Sequence, residues 1–138
     1  LMAAAAMGKA GDAGAMSFLR ARMRNEKDPK LYTVAAWILG RIGGKADIDL
    51  IRSRLANAPD ALSKAYLNHA MAALGDPQGQ AALTSNMRSD DPGIRVFAAV
   101  FASDAGMSGM KPQLIKLLKD DVLDVRIRAA QSLLVLSR

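Results

Sequence analysis

The chain has 138 residues, with 19 Lys and Arg against 13 Asp and Glu for a net charge of +6, and no cysteine. That length buries a core without staples, and the missing cysteines exclude a disulfide framework, a thiolate nucleophile and Cys-ligated zinc. Apolar residues make up 51% of the chain but aromatics only 4%, so the core must be built from Ala, Leu, Ile, Val and Met, which suit closely packed helices.

The opening "LMAAAAMGKAGD" reads as a helix over 1–8, too short and too lightly charged for a signal peptide. No stretch approaches the roughly 20 apolar residues of a membrane span, so the reading is a soluble protein, with the compartment open and the cytoplasm favoured. The next helices fall at about 14–25, 29–42, 46–57, 61–74, 78–88, 92–105, 111–119 and 122–137. Their apolar clusters, such as Leu50, Ile51 and Leu55, recur at spacings of three, four and five residues, which fit one face of a helix and not a strand. Turn signals separate them: "NEKDP" at 25–29, "NAPD" at 57–60, "GDPQG" at 75–79, "SDDP" at 89–92 and "KDDVLD" at 119–124.

The helices alternate as a unit. Small pairs recur at Ala3-Ala4, Ala35-Ala36, Ala70-Met71, Ala98-Ala99 and Ala129-Ala130, at intervals of 32, 35, 28 and 31 residues. An apolar residue and a helix-ending glycine follow at Met7-Gly8, Leu39-Gly40 and Leu74-Gly75. Each unit is a helix A, a tight turn and a helix B, repeated about four and a half times in a single domain over 1–138. Because the chain opens inside a B helix, the expectation is a fragment of a longer array. Solenoid ends need polar caps, whereas Leu133, Leu134, Val135 and Leu136 leave apolar surface, which points to further repeats or to end-to-end self-association.

"DPGIRVFAAVFASDAG" and "DVLDVRIRAAQSLLVL" resemble HEAT repeats of the short phycobilin-lyase type. The matching positions are Asp91, Pro92, Ile94, Arg95, Ala98 and Ala99, then Asp121, Asp124, Val125, Arg126, Ala129, Ala130 and Leu133. An earlier copy keeps Asp28, Pro29, Ala35, Ala36, Leu39 and Gly40 but has Tyr32 in the arginine's place, and the third keeps only "AMAALGD". The resemblance implies an all-α fold, a right-handed α-α solenoid with B helices on the concave side and A helices on the convex side. It also implies that Arg95 and Arg126 are structural, bonding carboxylates or carbonyls of an adjacent repeat. By name alone it adds a non-catalytic subunit of a chromophore lyase to the candidate functions.

Acid–base catalysis needs titratable groups held together, and the chain offers one His, one Glu and twelve Asp. Asp28, Asp60, Asp91 and Asp121 read as helix caps, His69 as a solvated or satisfied histidine, and "GRIGGKAD" as a turn. No phosphate loop or hydrolase motif occurs. The reading is no enzyme, no cofactor and no metal.

Two surfaces stand out. With Ala35, Ala98 and Ala129 turned to the core, the concave row is Thr33, Trp37, Asn68, Ala72, Val96, Val100, Ile127 and Gln131, with Lys30 and Arg41 at the rim. An aromatic anchor in an apolar row suits a protein or peptide partner, although Trp37 also fits a core position. On the A helices, Arg20, Arg22, Arg24, Arg52 and Arg54, with Lys116 and Lys119, suggest a convex basic stripe for nucleic acid or another polyanion. The alternative is a solvated face, because no aromatics are interleaved with the charges.

Overall fold

The computed structural model describes residues 1–138 and contains nine α-helices and no strand. In chain order they are α1 (Met2–Lys9), α2 (Ala13–Asn25), α3 (Pro29–Ile42), α4 (Ile48–Arg52), α5 (Ala61–Ala73), α6 (Pro77–Asn86), α7 (Pro92–Asp104), α8 (Lys111–Leu117) and α9 (Leu123–Leu136). Single 3-10 turns at Lys45–Asp47 and Ser108–Met110 lead into α4 and α8, and a third at Leu55–Asn57 follows α4.

Five helices begin on an aspartate whose carboxylate accepts a first-turn N–H: Asp12 from Ala15, Asp28 from Lys30, Asp60 from Ser63, Asp76 from Gly79 and Asp91 from Gly93. Such caps contribute about 1 kcal/mol each. The cap expected at Asp121 does not form. Helix α9 begins from Val122, whose N–H is accepted by Asp120 instead.

The cap positions give the register. Helices α3, α5, α7 and α9 start from residues 28, 60, 91 and 122, intervals of 32, 31 and 31. The A-type elements start from 12, 44, 76 and 107, intervals of 32, 32 and 31. In the third unit the position of the small pair is therefore held by Leu67 and Asn68, and Ala70-Met71 lies one turn further along α5. Ala35, Leu67, Ala98 and Ala129 share one position and are all fully buried.

The glycines also change roles. Gly8 and Gly40 sit inside α1 and α3 and do not end them, whereas Gly75 ends α5 as expected and, with Gly11 and Gly106 beyond α1 and α7, adopts positive φ, the left-handed conformation that glycine tolerates best. Gly40 marks a close helix crossing, where a Cβ would lie 3.0 Å from Cα of Ala70.

Helices α1, α3, α5, α7 and α9 each pack on the next of their kind, while α2, α4, α6 and α8 pack against the helix that follows each of them. Between the two sets lies one buried cluster that includes Leu19, Met23, Leu39, Ile51, Leu67, Leu83, Met87, Phe101 and Leu114.

Arginines bind successive pairs together. Arg95 grips Asp120 of the following pair with Nε and Nη2 at 2.8 and 2.9 Å, and its Nη1 donates to the carbonyls of Ser89 and Asp90. This pairing holds the Asp120 carboxyl below its ordinary range. Arg126 repeats only the second half: its Nη1 donates to the carbonyls of Asp120 and Asp121, in the turn of its own pair and not of an adjacent one. At Tyr32, where the arginine is missing, Arg54 from the turn after α4 supplies the guanidinium. It stacks 4.3 Å from the Tyr32 ring centroid and donates to the carbonyls of Arg24 and Glu26. Glu26 precedes Tyr32 by six residues, as Ser89 precedes Arg95 and Asp120 precedes Arg126, so the same carbonyl is served from a different place in the sequence.

Candidate functional site

The repeat position Val34, Tyr66 and Phe97 runs along one face of α3, α5 and α7, and Arg128 continues it on α9. With Trp37, Val96, Val100, Phe101, Met2 and Asp124 these residues line a groove of about 520 Å³. Four of the six aromatic residues in the chain thus converge on one surface. Tyr66 packs against Phe97 with ring centroids 4.5 Å apart and planes tilted by 48°, and meets Phe101 edge-on at 6.1 Å, which fixes the floor. Burial in this cluster pushes the Tyr66 hydroxyl above its ordinary pKa.

Beside Trp37, side chains of α3 and α7 meet across α5. Arg41 of α3 lies 4.0 Å from Asp104 at the end of α7, and α5 presents only Ala73 at the equivalent position. The Arg41 guanidinium also sits 5.2 Å over the Trp37 ring. Burial pushes the Asp104 carboxyl up, while the Arg41 charge and the Trp37 indole N–H act against that rise. In the groove lining on α9, Arg128 pairs with Asp124 at 3.3 Å.

Two smaller clefts flank the groove. Trp37 and Arg41 also line one of about 380 Å³ against Met2, Ala5 and Lys9 of α1. Lys30 and Thr33 line another of about 460 Å³ between the first turns of α3 and α5.

The expected concave row is therefore only partly brought together. Trp37, Val96 and Val100 lie in the main groove, and Trp37 is half-buried there, neither sealed in the core nor fully exposed. Thr33 is buried and spends its hydroxyl on the carbonyls of Pro29 and Lys30. Ala72 is buried, Asn68 is half-buried outside the groove, and Ile127 and Gln131 are exposed on α9 away from it. The open face runs through Val34, Trp37 and Arg41, so stepping two residues either side of the core alanine missed Val34, Tyr66, Phe97 and Phe101. The 31- to 32-residue recurrence of Val34, Tyr66 and Phe97 was the signal that locates them.

The basic set on the A helices is largely engaged. Arg20 holds Asp47 at 2.6 and 3.1 Å, Arg52 holds Asp49 at 2.7 Å and Asp76 at 2.5 Å, and Arg22 holds Glu26 at 2.7 Å. Asp47 is buried, and burial favours its neutral form, but the Arg20 guanidinium and the Gly44 N–H outweigh burial and keep its carboxyl low. With Arg54 spent on carbonyls, only Arg24 of the five carries no internal partner. A stripe of free guanidinium groups is not formed.

His69 is neither solvated nor fully satisfied. It is completely buried, its Nε2 lies 2.9 Å from the Asn86 amide nitrogen, and its Nδ1 has no partner. No cluster of three or more His, Asp or Glu side chains that could hold a metal ion occurs, and no helix is long and apolar enough to cross a membrane. A scan of the chain against known protein families finds no match, and a search of curated protein sequences finds none either.

Proposed function

We propose that the chain is a right-handed α-solenoid of HEAT-like repeats that acts as a non-enzymatic scaffold, holding an apolar segment of a protein or peptide in the groove on its B-helix face. The convergence of Trp37, Tyr66, Phe97 and Phe101 in one groove of about 520 Å³ carries this reading, because aromatic anchors in a largely apolar depression are the usual centre of an interaction surface. The regular cap intervals and the stacking of α1, α3, α5, α7 and α9 on one another support the solenoid. A scaffold stitched at its turns loses little freedom on binding, which favours affinity. The polyanion reading is weaker than the sequence suggested, since four of its five arginines are already paired or hydrogen-bonded within the chain.

The test is selection of a displayed random-peptide library on the full chain. The expected result is enrichment of peptides with bulky apolar residues, whose binding is lost in Val100→Glu and kept in Arg22→Ala. Failure to enrich such peptides, or binding indifferent to Val100→Glu, would refute the groove. Salt-sensitive retention of an oligonucleotide, lost in Arg24→Ala, would favour the polyanion reading instead.

A further inference from the structure

A cleft of about 500 Å³ opens between the turn that joins α2 to α3 and the turn that precedes α5, and it shares no residue with the B-helix groove. Its wall is polar: Arg24, Lys27 and Arg54 bring three cations, and Asn25 and Asn57 bring side-chain amides. The one carboxylate in the lining, Glu26, is already engaged. It holds Arg22 at 2.7 Å and accepts the backbone N–H groups of Lys27 and Asp28. The salt bridges of the chain include neither Arg24 nor the Lys27 ammonium. Arg54 donates Nη1 and Nη2 to the carbonyls of Arg24 and Glu26 and lies over the Tyr32 ring, which leaves its Nε without an acceptor.

The repeat itself shows what this cleft lacks. Asn25, Asn57, Ser89 and Asp120 occupy one position in the four turns, at intervals of 32, 32 and 31 residues. Between the third and fourth pairs the guanidinium meets its counter-charge within the chain, as Nε and Nη2 of Arg95 grip the Asp120 carboxylate at 2.8 and 2.9 Å. Between the first and second pairs Arg54 restores the guanidinium missing at Tyr32, but the residue in the place of Asp120 is Asn57, a neutral amide. The cationic half of the seam is rebuilt and the anionic half is not. With Arg24 and Lys27 alongside, the excess positive charge is more than a single carboxylate would balance. A phosphate dianion brings about two negative charges near neutral pH and three strong acceptor oxygens, and guanidinium groups match it well. Stacking of a nucleic-acid base has no place here, because Tyr32 is only 4% exposed and Arg54 lies over its ring.

We propose that this cleft is a binding site for a phosphate dianion, with Arg24, Lys27 and the open Nε of Arg54 taking its oxygens and the Asn25 and Asn57 amides at its sides. The bound phosphate supplies between the first two pairs the negative charge that Asp120 supplies between the last two. Its contacts come from both turns, so binding also ties those pairs together and raises the stability of the fold. The same chemistry is offered by a phosphorylated side chain and by the free ion.

The test follows side-chain NMR signals of the full chain at low ionic strength, where exposed charges are least screened, as inorganic phosphate or a short phosphoserine peptide is added. The expected result is saturable shifts at the Arg54 Nε–H and at the Asn25 and Asn57 amides, with the same peptide lacking phosphate leaving them unmoved. The dissociation constant should rise about tenfold in Arg24→Ala and stay unchanged in Arg88→Ala, an exposed arginine outside the cleft. Asn57→Asp should install the missing counter-charge, abolish the shifts and leave the melting temperature equal or higher. Tighter binding of the phosphopeptide than of inorganic phosphate would support a site for a phosphorylated side chain, and inorganic phosphate binding as tightly or more tightly would support a site for the free ion. No saturable shift at these groups, an Arg88→Ala effect as large as that of Arg24→Ala, or undiminished binding in Asn57→Asp would overturn the proposal. Stronger binding of an oligonucleotide without a terminal phosphate than of either probe would also overturn it, and would assign the cleft to nucleic acid.

Discussion

His69 should make this protein acid-labile well above the range in which carboxylates titrate. The ring is fully buried on α5, packed 5.4 Å from the Phe101 ring, with the Asn86 amide nitrogen at Nε2 as its single polar partner, no acceptor at Nδ1 and no carboxylate to balance a charge. Burial alone lowers its pKa from 6.5 to about 3. The folded-state value is depressed, so between these limits the unfolded chain binds the extra proton and stability falls as pH falls. The stabilisation is complete above about pH 6.5. At roughly 1.4 kcal/mol per unit, its loss is about 2 kcal/mol by pH 5 and about 3 kcal/mol by pH 4. Urea unfolding at pH 7, 6, 5 and 4 measures it, with His69→Gln as the reference, because glutamine does not titrate and Asp47 and Asp120 remain to contribute their own loss at lower pH. The slope between pH 6.5 and 5 should vanish in that variant. An NMR titration showing His69 protonated near pH 6.5 in the folded protein would refute the reasoning.

Other substitutions test the packing and the stitching. Arg95→Ala removes the fork on Asp120 and two carbonyl bonds, and should cost about 2 to 3 kcal/mol in urea unfolding, with Arg95→Lys recovering less than half because an ammonium has no fork. Gly40→Ala sets a methyl 3.0 Å from Cα of Ala70 and 3.1 Å from its carbonyl oxygen, so α3 and α5 must separate at a cost of about 1 to 3 kcal/mol. Gly44→Ala meets nothing within 4 Å and should leave the midpoint unchanged or slightly raised. Ala98→Leu and Ala129→Leu both enlarge fully buried positions. Each should lower the midpoint by about 1 to 3 kcal/mol, and a neutral result at both would mean the helices are not closely packed there.

The helix boundaries were legible because they are written locally. Asp-Pro caps and apolar spacings of three and four lie within single elements, and α2, α3 and α7 begin and end within a residue or so of where those signals placed them. The repeat was legible but misplaced in the third unit, where the abundant alanines of α5 offered a false match one turn late. Gly11, Gly43, Gly75 and Gly106, spaced 32, 32 and 31 residues apart, would have given the register, since helix-ending turns constrain residue type more strongly than the core does. What stayed hidden depends on contacts between units. Nothing local to Tyr32 says that Arg54, twenty-two residues later, replaces its missing guanidinium. Nothing local to Arg20 or Arg52 says that the next pair takes its charge. The groove was half legible because Trp37 is unique, while Tyr66 and Phe97 join it only once α3, α5 and α7 lie side by side.

The junctions between pairs differ in their polar chemistry, and this gives the chain a defence against a hazard of its own regularity. Alanine-lined faces so alike could exchange neighbours during folding, one pair stacking on the next but one. Arg20 meets Asp47 at one junction, Arg52 meets Asp76 at the next, Thr84 meets Met110 at the third, and Arg95 reaches Asp120 across that same third seam. A mis-threaded stack that set Thr84, which shares their repeat position, in place of Arg20 or Arg52 would strand the Asp47 or Asp76 carboxylate with no counter-charge, a penalty of about 3 to 5 kcal/mol, which is a large fraction of the stability of a small domain. The seams thus work as address labels that set the third pair, with Thr84 in the arginine's place, apart from the first two.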